Sequence, residues 1–127
     1  MKNIDHSAVR IRSGFWKQKQ DLVRSVTAKA VYDRFAETGR FAALKCQWKP
    51  GDEPEPHIFW DSDVAKWIEG VAYLLQEGPA PELYSLARAA IDDMLASQEK
   101  ETGYYNCYYL THDAPRFTER GNHELYC

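Results

Sequence analysis

The sequence lacks both a long hydrophobic run and an excess of positive charge. No apolar stretch approaches the roughly 18 residues that a membrane-spanning helix needs, and the first residues contain no apolar signal-peptide core. The formal net charge is −3, whereas proteins that bind nucleic acids generally present a basic surface. These features predict a cytoplasmic protein that binds neither a membrane nor nucleic acid.

Cysteine is scarce, and several motifs that would indicate a particular reaction or cofactor are missing. The 3 cysteines show no CxxC spacing, which indicates free thiols in a reducing compartment rather than a disulfide framework. The sequence also has no phosphate-binding glycine loop, no dinucleotide fingerprint and no serine nucleophile elbow. Function therefore has to be sought in other residues.

Aromatic residues, by contrast, are plentiful. They make up 13% of the 127 residues and include 4 Trp and 8 Tyr. Such side chains usually pack in a core, but they also line sugar-binding clefts because a flat apolar face with a polar edge suits a carbohydrate ring. The tyrosine-rich segment 102–109 fits either interpretation, and we predict it to be a loop or a short extended stretch.

The hydrophobic pattern predicts an all-α protein with a short extended N-terminal arm. Residues 9–12 alternate between apolar and polar side chains, which is typical of an extended segment. Apolar residues at helical spacing then predict a helix over 15–37, ended by Gly39 in a left-handed cap. A second short helix is expected over 40–46. Prolines and acidic residues mark 48–57 as a loop.

Two stronger helices follow this loop. The first begins at residues 61–63, whose side chains are expected to accept hydrogen bonds from the free amides of the first turn. It stops at Gly78, and Pro81 opens the next helix, with a predicted buried face that includes Ile91 and Leu95. Only a few residues join the two helices, so they are predicted to form an antiparallel hairpin.

The start of the first of these helices is one candidate binding site. Asp61 or Asp63 could reach a ligand from the helix N-terminus, with Trp60 or Phe59 as a wall of the pocket. Paired carboxylates also carry out glycoside hydrolysis, although two residues apart at a helix start they need not converge. The alternative is a structural role, in which the acids cap the helix and the aromatics belong to the core.

The last seven residues form a second candidate site. Asn122 is a plausible N-cap for a helix beginning at Glu124, and a helix needs roughly 12 residues to be stable. The sequence therefore predicts the front part of a larger protein. On a helix His123 and Cys127 share a face, as the two ligands of an H-E-x-x-H zinc site do, with Glu124 as a possible base. The alternative is that His123 faces a pocket while Cys127 packs as a small apolar residue.

Several of these segments, taken in order, resemble the N-terminal part of glycoside hydrolase family 127, the β-L-arabinofuranosidase family. The most specific elements are Ser62-Asp63-Val64 followed by Lys66-Trp67 and Glu69, and His123-Glu124 followed by Tyr126. Shorter matches lie at residues 13–16, 59–61, 97–98, 102–105 and 116–117. The resemblance covers nearly the whole chain. It implies that residues 1–127 are the N-terminal portion of a catalytic domain, with the fold of an incomplete (α/α)6 toroid built from helical hairpins around a sugar pocket.

The resemblance also implies roles for individual residues. His123 would bind the terminal sugar of a carbohydrate ending in L-arabinofuranose, and Asp61 and Trp60 are further substrate-binding candidates. The family's nucleophile is a zinc-bound cysteine thiolate, and a glutamate is its general acid/base. Both lie in later parts of the domain, so we expect no catalytic residue, metal ligand or cofactor in this chain. The chain alone would be inactive, and its partner would be the C-terminal remainder of the same domain.

A different class of function also fits the sequence. The chain could be a small helical binding or interaction module without catalysis. The exposed face of its hairpin would then bury against a partner.

Overall fold

The computed structural model describes residues 4–5, 8–118, 121 and 123–124, and within these ranges the regular structure is entirely helical. The prediction of an all-α fold is therefore confirmed. The elements are α1 (Gly14–Leu22), a π-helical turn (Val23–Thr27), α2 (Ala28–Glu37), α3 (Arg40–Ala43), α4 (Trp60–Glu77), α5 (Pro81–Ser97) and α6 (Cys107–His112). None of these helices is long and apolar enough to cross a membrane.

The first three elements form one continuous helical run, as the periodicity over 15–37 predicts. All residues of α1 are at least partly exposed, and burial begins at Ala28 in α2. Gly39 ends the run with a left-handed φ of 84°, the conformation expected of a glycine C-cap. The short helix that follows ends at Ala43 and is thus shorter than the predicted 40–46. The arm at 9–12 has no regular secondary structure.

Helices α4 and α5 form the predicted hairpin. Three residues join them, and Pro81 is the first residue of α5. The main core lies between α2, α4 and α5, and its buried members are Ala28, Trp67, Val71, Leu74, Leu83 and Ala87. Ile91 and Leu95 belong to the predicted buried face but are 36% and 60% exposed. The prediction was wrong there because α5 packs through Leu83, Ala87 and Ala90, and the two exposed residues lie off that line.

Trp67 connects the hairpin to the first helical run. Its ring lies 5.4 Å from the Tyr32 ring and 5.6 Å from the Phe41 ring, centroid to centroid. Its indole N–H donates to the carbonyl of Ala28 at 2.8 Å inside the core. Burying a large apolar side chain stabilises a fold by about 1.5–3 kcal/mol, so this residue contributes both packing and a satisfied polar contact.

The C-terminal end of α4 is held by Arg24 of the π-helical turn. The Arg24 guanidinium donates to the carbonyls of Leu74, Gly78 and Pro79 at 2.5, 2.8 and 2.7 Å. The last carbonyls of a helix have no partner within the helix and carry partial negative charge, so an arginine is well suited to them. This contact fixes the tight connection between α4 and α5.

Helix α6 was not predicted. The segment 102–109, expected to be a loop or an extended stretch, turns into a helix at Cys107. Asn106 begins this helix because its side-chain oxygen accepts the backbone N–H groups of Tyr108 and Tyr109, both at 3.1 Å. This is the usual role of an asparagine N-cap. The start of α6 lies against the start of α4, where Asp61 accepts the backbone N–H of Cys107.

Candidate functional site

Asp61 lies at the junction between α4 and α6. Its side chain is buried, with 3% of the residue exposed, and its Oδ2 accepts the backbone N–H of Cys107 at 2.7 Å. The N-cap residue of α4 is Phe59, and no side chain caps the helix there. The prediction that the acids at 61–63 cap their own helix was therefore wrong. Asp61 instead accepts a hydrogen bond from an amide of a neighbouring helix, at the start of α6.

Burial raises the pKa of Asp61, and the bonds to Cys107 only partly offset this effect. The second carboxyl oxygen, Oδ1, is buried and has no hydrogen-bond partner among the described residues, and the same holds for Nδ2 of Asn106. An unsatisfied buried polar group costs about 1–3 kcal/mol. Asp61 also lines a pocket of about 310 Å³, together with Ser62, Ala65, Lys66, Glu69, Met94 and Tyr105. This junction therefore combines a pocket with unmet hydrogen-bonding capacity.

Two thiols and a phenol surround the Asp61 carboxyl. Burial and the nearby Asp61 raise the pKa of Cys46 to about 11, and the same two causes raise the pKa of Cys107. Burial and Asp61 likewise raise the pKa of Tyr105, whose hydroxyl donates to the Leu44 carbonyl at 3.0 Å. All three side chains are thus protonated at neutral pH.

Trp60 faces a different environment. The Arg40 guanidinium lies over its ring, 5.4 Å from the centroid, and the same arginine donates to Asp63 at 3.1 Å. Trp60 is not among the residues that line the pocket beside Asp61. The two neighbours in sequence therefore point to different surroundings, and the structure does not bring these two predicted binding residues into one site.

His123 lies in an exposed turn with a positive φ of 50°. Residues 123–124 form a turn and not a helix. Asn122 and Cys127 lie outside the described residues. The predicted N-cap and the predicted pairing of His123 with Cys127 therefore also lie outside them. None of the contacts of the described residues joins His123 to Asp61 or Trp60. The histidine is thus presented to solvent.

Glu124 anchors this turn. It is 7% exposed, accepts the Tyr104 hydroxyl at 2.6 Å and also accepts the backbone N–H of Phe117. Two donors thus occupy the carboxylate that the sequence suggested as a possible base. Burial and Glu124 raise the pKa of the Tyr104 hydroxyl. Glu124 therefore fixes the backbone that carries His123.

Arg116 extends the anchor to the end of α5. Its guanidinium binds both carboxyl oxygens of Glu99, at 3.0 and 2.6 Å, and lies 3.9 Å from the centroid of the Tyr104 ring. The bonds from Arg116 and Thr102 lower the pKa of Glu99 to about 2. This network was not predicted from the sequence, although Tyr104, Arg116 and Glu124 all belong to segments of the family resemblance.

A second pocket, of about 430 Å³, lies beside α6 and was also missed. Residues Glu55, Pro56, His57, Ile58 and Tyr108 line it. It lies where the loop preceding α4 meets α6. The only signal in the sequence was the concentration of aromatic and charged residues in a loop, since loops on a rigid scaffold often carry binding residues.

Comparison with known proteins identifies the family. The model of the β-L-arabinofuranosidase GH127 catalytic domain matches residues 8–127. The chain belongs to this family. Among curated proteins, it is similar to the non-reducing end beta-L-arabinofuranosidase of Bifidobacterium longum subsp. longum, with 28% identity over 144 residues. The alignment covers 93% of this chain and 22% of the relative, so the chain spans about a fifth of that protein's length. No solved structure gives a significant match.

The described part of this GH127 chain does not fit the zinc ion that the family resemblance implies. A zinc site needs deprotonated cysteine or neutral histidine ligands, usually at least three from the protein. Across residues 4–5, 8–118, 121 and 123–124, no group of three His, Cys, Asp or Glu residues could hold a metal.

Proposed function

We propose that residues 1–127 form the N-terminal portion of the catalytic domain of a β-L-arabinofuranosidase. The domain would be an (α/α)6 toroid, and the α4–α5 hairpin would be one of its members. The substrate would be a carbohydrate that ends in L-arabinofuranose. The single observation that carries this proposal is the family match over residues 8–127.

Within this function His123 contacts the terminal sugar. Two observations support the assignment. The imidazole side chain is exposed, and the turn that carries it is fixed by the buried Glu124. A sugar-binding residue that is already held in place before the sugar binds loses less conformational entropy on binding.

Asp61 supports the sugar site indirectly, because its bond to Cys107 holds the start of α6 against the start of α4. Trp60 is proposed as a sugar contact on a separate surface, beside the Arg40 guanidinium that lies over its ring. The zinc-bound nucleophile and the acid/base glutamate lie in other parts of the catalytic domain, so the 127 residues contribute sugar contacts and no reacting group.

A segment exchange with the curated relative tests the proposal. The aligned segment of the Bifidobacterium longum enzyme is replaced by this chain, and release of L-arabinose from an aryl β-L-arabinofuranoside is measured. We expect hydrolysis by the exchange protein and at least a hundredfold lower kcat/KM in its His123→Ala variant. The isolated chain of 127 residues should release no L-arabinose.

The control is Tyr84→Ala in the same exchange protein, because Tyr84 is an exposed residue of α5 that lines neither pocket and should leave hydrolysis unchanged. Circular dichroism first establishes that each protein is folded. A folded exchange protein without hydrolysis would overturn the function, and full activity in His123→Ala would overturn the role of His123. Turnover by the isolated chain would contradict the absence of reacting groups.

A further inference from the structure

Three rings stack on one another where the loop at 48–57 meets α6. The His112 imidazole lies between Trp48, at 4.2 Å with 13° between the ring planes, and Tyr108, at 4.0 Å with 18°. Its Nε2 lies 3.2 Å from a carboxyl oxygen of Glu55. The stack and this contact attach the loop to α6, so the pocket of about 430 Å³ between them has fixed walls.

The size of this pocket suits one small ring. Ligand pockets typically have volumes of about 300–1,000 Å³, and this pocket lies near the lower limit of that range. Pro56 and Ile58 are buried beneath it, whereas Glu55 and His57 are exposed. Its wall thus combines an apolar floor with polar groups at the rim.

The polar groups are both donors and acceptors. The His57 Nδ1 accepts the backbone N–H of Phe59 at 3.2 Å, so the neutral imidazole carries its proton on Nε2 and can donate from there. The side chain of Glu55 is 61% exposed, which leaves its carboxylate accessible to hydroxyl donors. Tyr108 adds an aromatic ring with a hydroxyl group.

We propose that this pocket binds a neutral saccharide unit and is a subsite for a sugar other than the terminal L-arabinofuranose. This inference rests on the proposed function. A sugar offers an apolar ring face to Tyr108 and hydroxyl groups to Glu55 and His57. None of the five described lining residues is a lysine or an arginine, and the Glu55 carboxylate repels anions, so phosphates and acidic sugars are disfavoured.

Titration of the 127-residue chain with two probes tests the subsite. The probes are methyl β-L-arabinofuranoside, with one sugar, and a β-linked disaccharide of L-arabinofuranose, and binding is followed by NMR of the Tyr108 and His57 ring signals. We expect the disaccharide to shift these signals. Tyr108→Ala should weaken its binding about two- to tenfold, which is the loss expected for one stacked aromatic contact.

Matched variants keep the test decisive. Tyr84→Ala, at an exposed tyrosine of α5 (56% exposed), should leave the affinity unchanged. Glu55→Gln removes the charge and replaces one acceptor oxygen by an NH2 donor at nearly the same size. It should weaken binding at least threefold, even if Tyr108→Ala fails to fold. Unshifted Tyr108 and His57 signals with the disaccharide, or unchanged affinity in a folded Glu55→Gln chain, would overturn the subsite.

The titration does not depend on turnover and is therefore separable from the proposed function. An active exchange protein whose chain binds no disaccharide at Tyr108 would overturn the subsite alone. Disaccharide binding at Tyr108 combined with a folded, inactive exchange protein would overturn the arabinofuranosidase function and leave the saccharide site standing.

Discussion

The carboxylate of Asp61 in the first turn of α4 accepts the backbone N–H of Cys107 at the start of α6, at 2.7 Å, across 46 residues of sequence. Asp61 and Cys107 are both buried. The Cys107 N–H has no partner in its own helix. It donates to the Asp61 side chain instead of to solvent. The relationship fixes the orientation of α6, which contributes Tyr108 to the pocket of about 430 Å³.

The Asp61 contact should make stability depend on pH. The folded-state pKa of Asp61 is raised above its ordinary value of 3.8. Its contribution is thus largest below pH 3.8 and is lost as the pH rises through the folded-state pKa. Asp61→Asn keeps an acceptor for Cys107 without a buried charge. We expect the free energy of unfolding of this variant to improve relative to the parent between pH 4 and pH 7, measured by urea denaturation.

Asp61→Ala provides the contrast. It leaves the Cys107 N–H unsatisfied and should cost about 1–3 kcal/mol below pH 3.8. This cost should shrink as the pH rises through the folded-state pKa of Asp61. A difference between the parent and Asp61→Asn that stays constant across the pH range would show that the buried carboxyl is not the source of the effect.

The pair of Glu99 and Arg116 should titrate with the opposite sign. The bonds to Glu99 lower its pKa from 4.5 to about 2, so its contribution is present above pH 4.5 and is lost as the pH falls towards 2. NMR titration of the Glu99 carboxyl should give a midpoint near 2 in the parent and a midpoint nearer 4.5 in Arg116→Gln. Arg88→Gln, which removes an exposed arginine paired with Asp92, should leave the Glu99 midpoint where it is.

Arg24 should be the most important arginine for stability among those compared. Arg24→Met keeps the aliphatic stem and removes the bonds to the three carbonyls at the end of α4. We expect a loss of about 1.5–3 kcal/mol, because hydrogen bonds to charged groups have this magnitude. Arg34→Met, at a side chain that is 72% exposed, should change stability by at most about 0.5 kcal/mol. Equal effects in chemical denaturation would contradict the capping role.

Gly39 and Gly51 offer a matched pair of glycine substitutions. Both have a positive φ, 84° and 101°, but a Cβ at Gly39 would lie 2.5 Å from Cγ of Pro54, whereas one at Gly51 meets nothing within 4 Å. Both alanine variants should suffer backbone strain of about 1–3 kcal/mol. Gly39→Ala should lose about 1–3 kcal/mol more, because the rigid proline ring cannot give way easily. Thermal unfolding of the two variants measures the difference.

The long helices could be predicted from the sequence because their signals are local. The apolar spacing over 15–37 and the sequence Gly78-Pro79 followed by Pro81 report on neighbouring residues, and the structure confirms both features. Helix α6 carries no comparable signal. It has six residues, including two tyrosines and a threonine, which are weak helix formers. Its order comes from the N-cap Asn106 and from the distant Asp61.

The candidate sites were harder to predict because their contacts join residues that are far apart in sequence. Asp61 was correctly placed at the start of a helix, but its partner Cys107 lies 46 residues away, and no spacing rule connects them. The stack of Trp48 on His112 likewise joins two segments that are far apart in sequence. Periodicity predicts which face of a helix is apolar, whereas the meeting of two loops depends on the packing of whole helices.

The exposure of α1 has a consequence for the order in which the molecule opens. Helix α1 contains no buried residue, and Phe15 and Trp16 are 59% and 69% exposed, whereas Val64 and Val71 of α4 are 0% and 1% exposed. Amides in elements with few buried contacts exchange with solvent through local opening, while those of the core require global unfolding. In deuterated water the amides of Gly14–Leu22 should therefore be the first helical amides to exchange, and those around Val64 and Val71 the last.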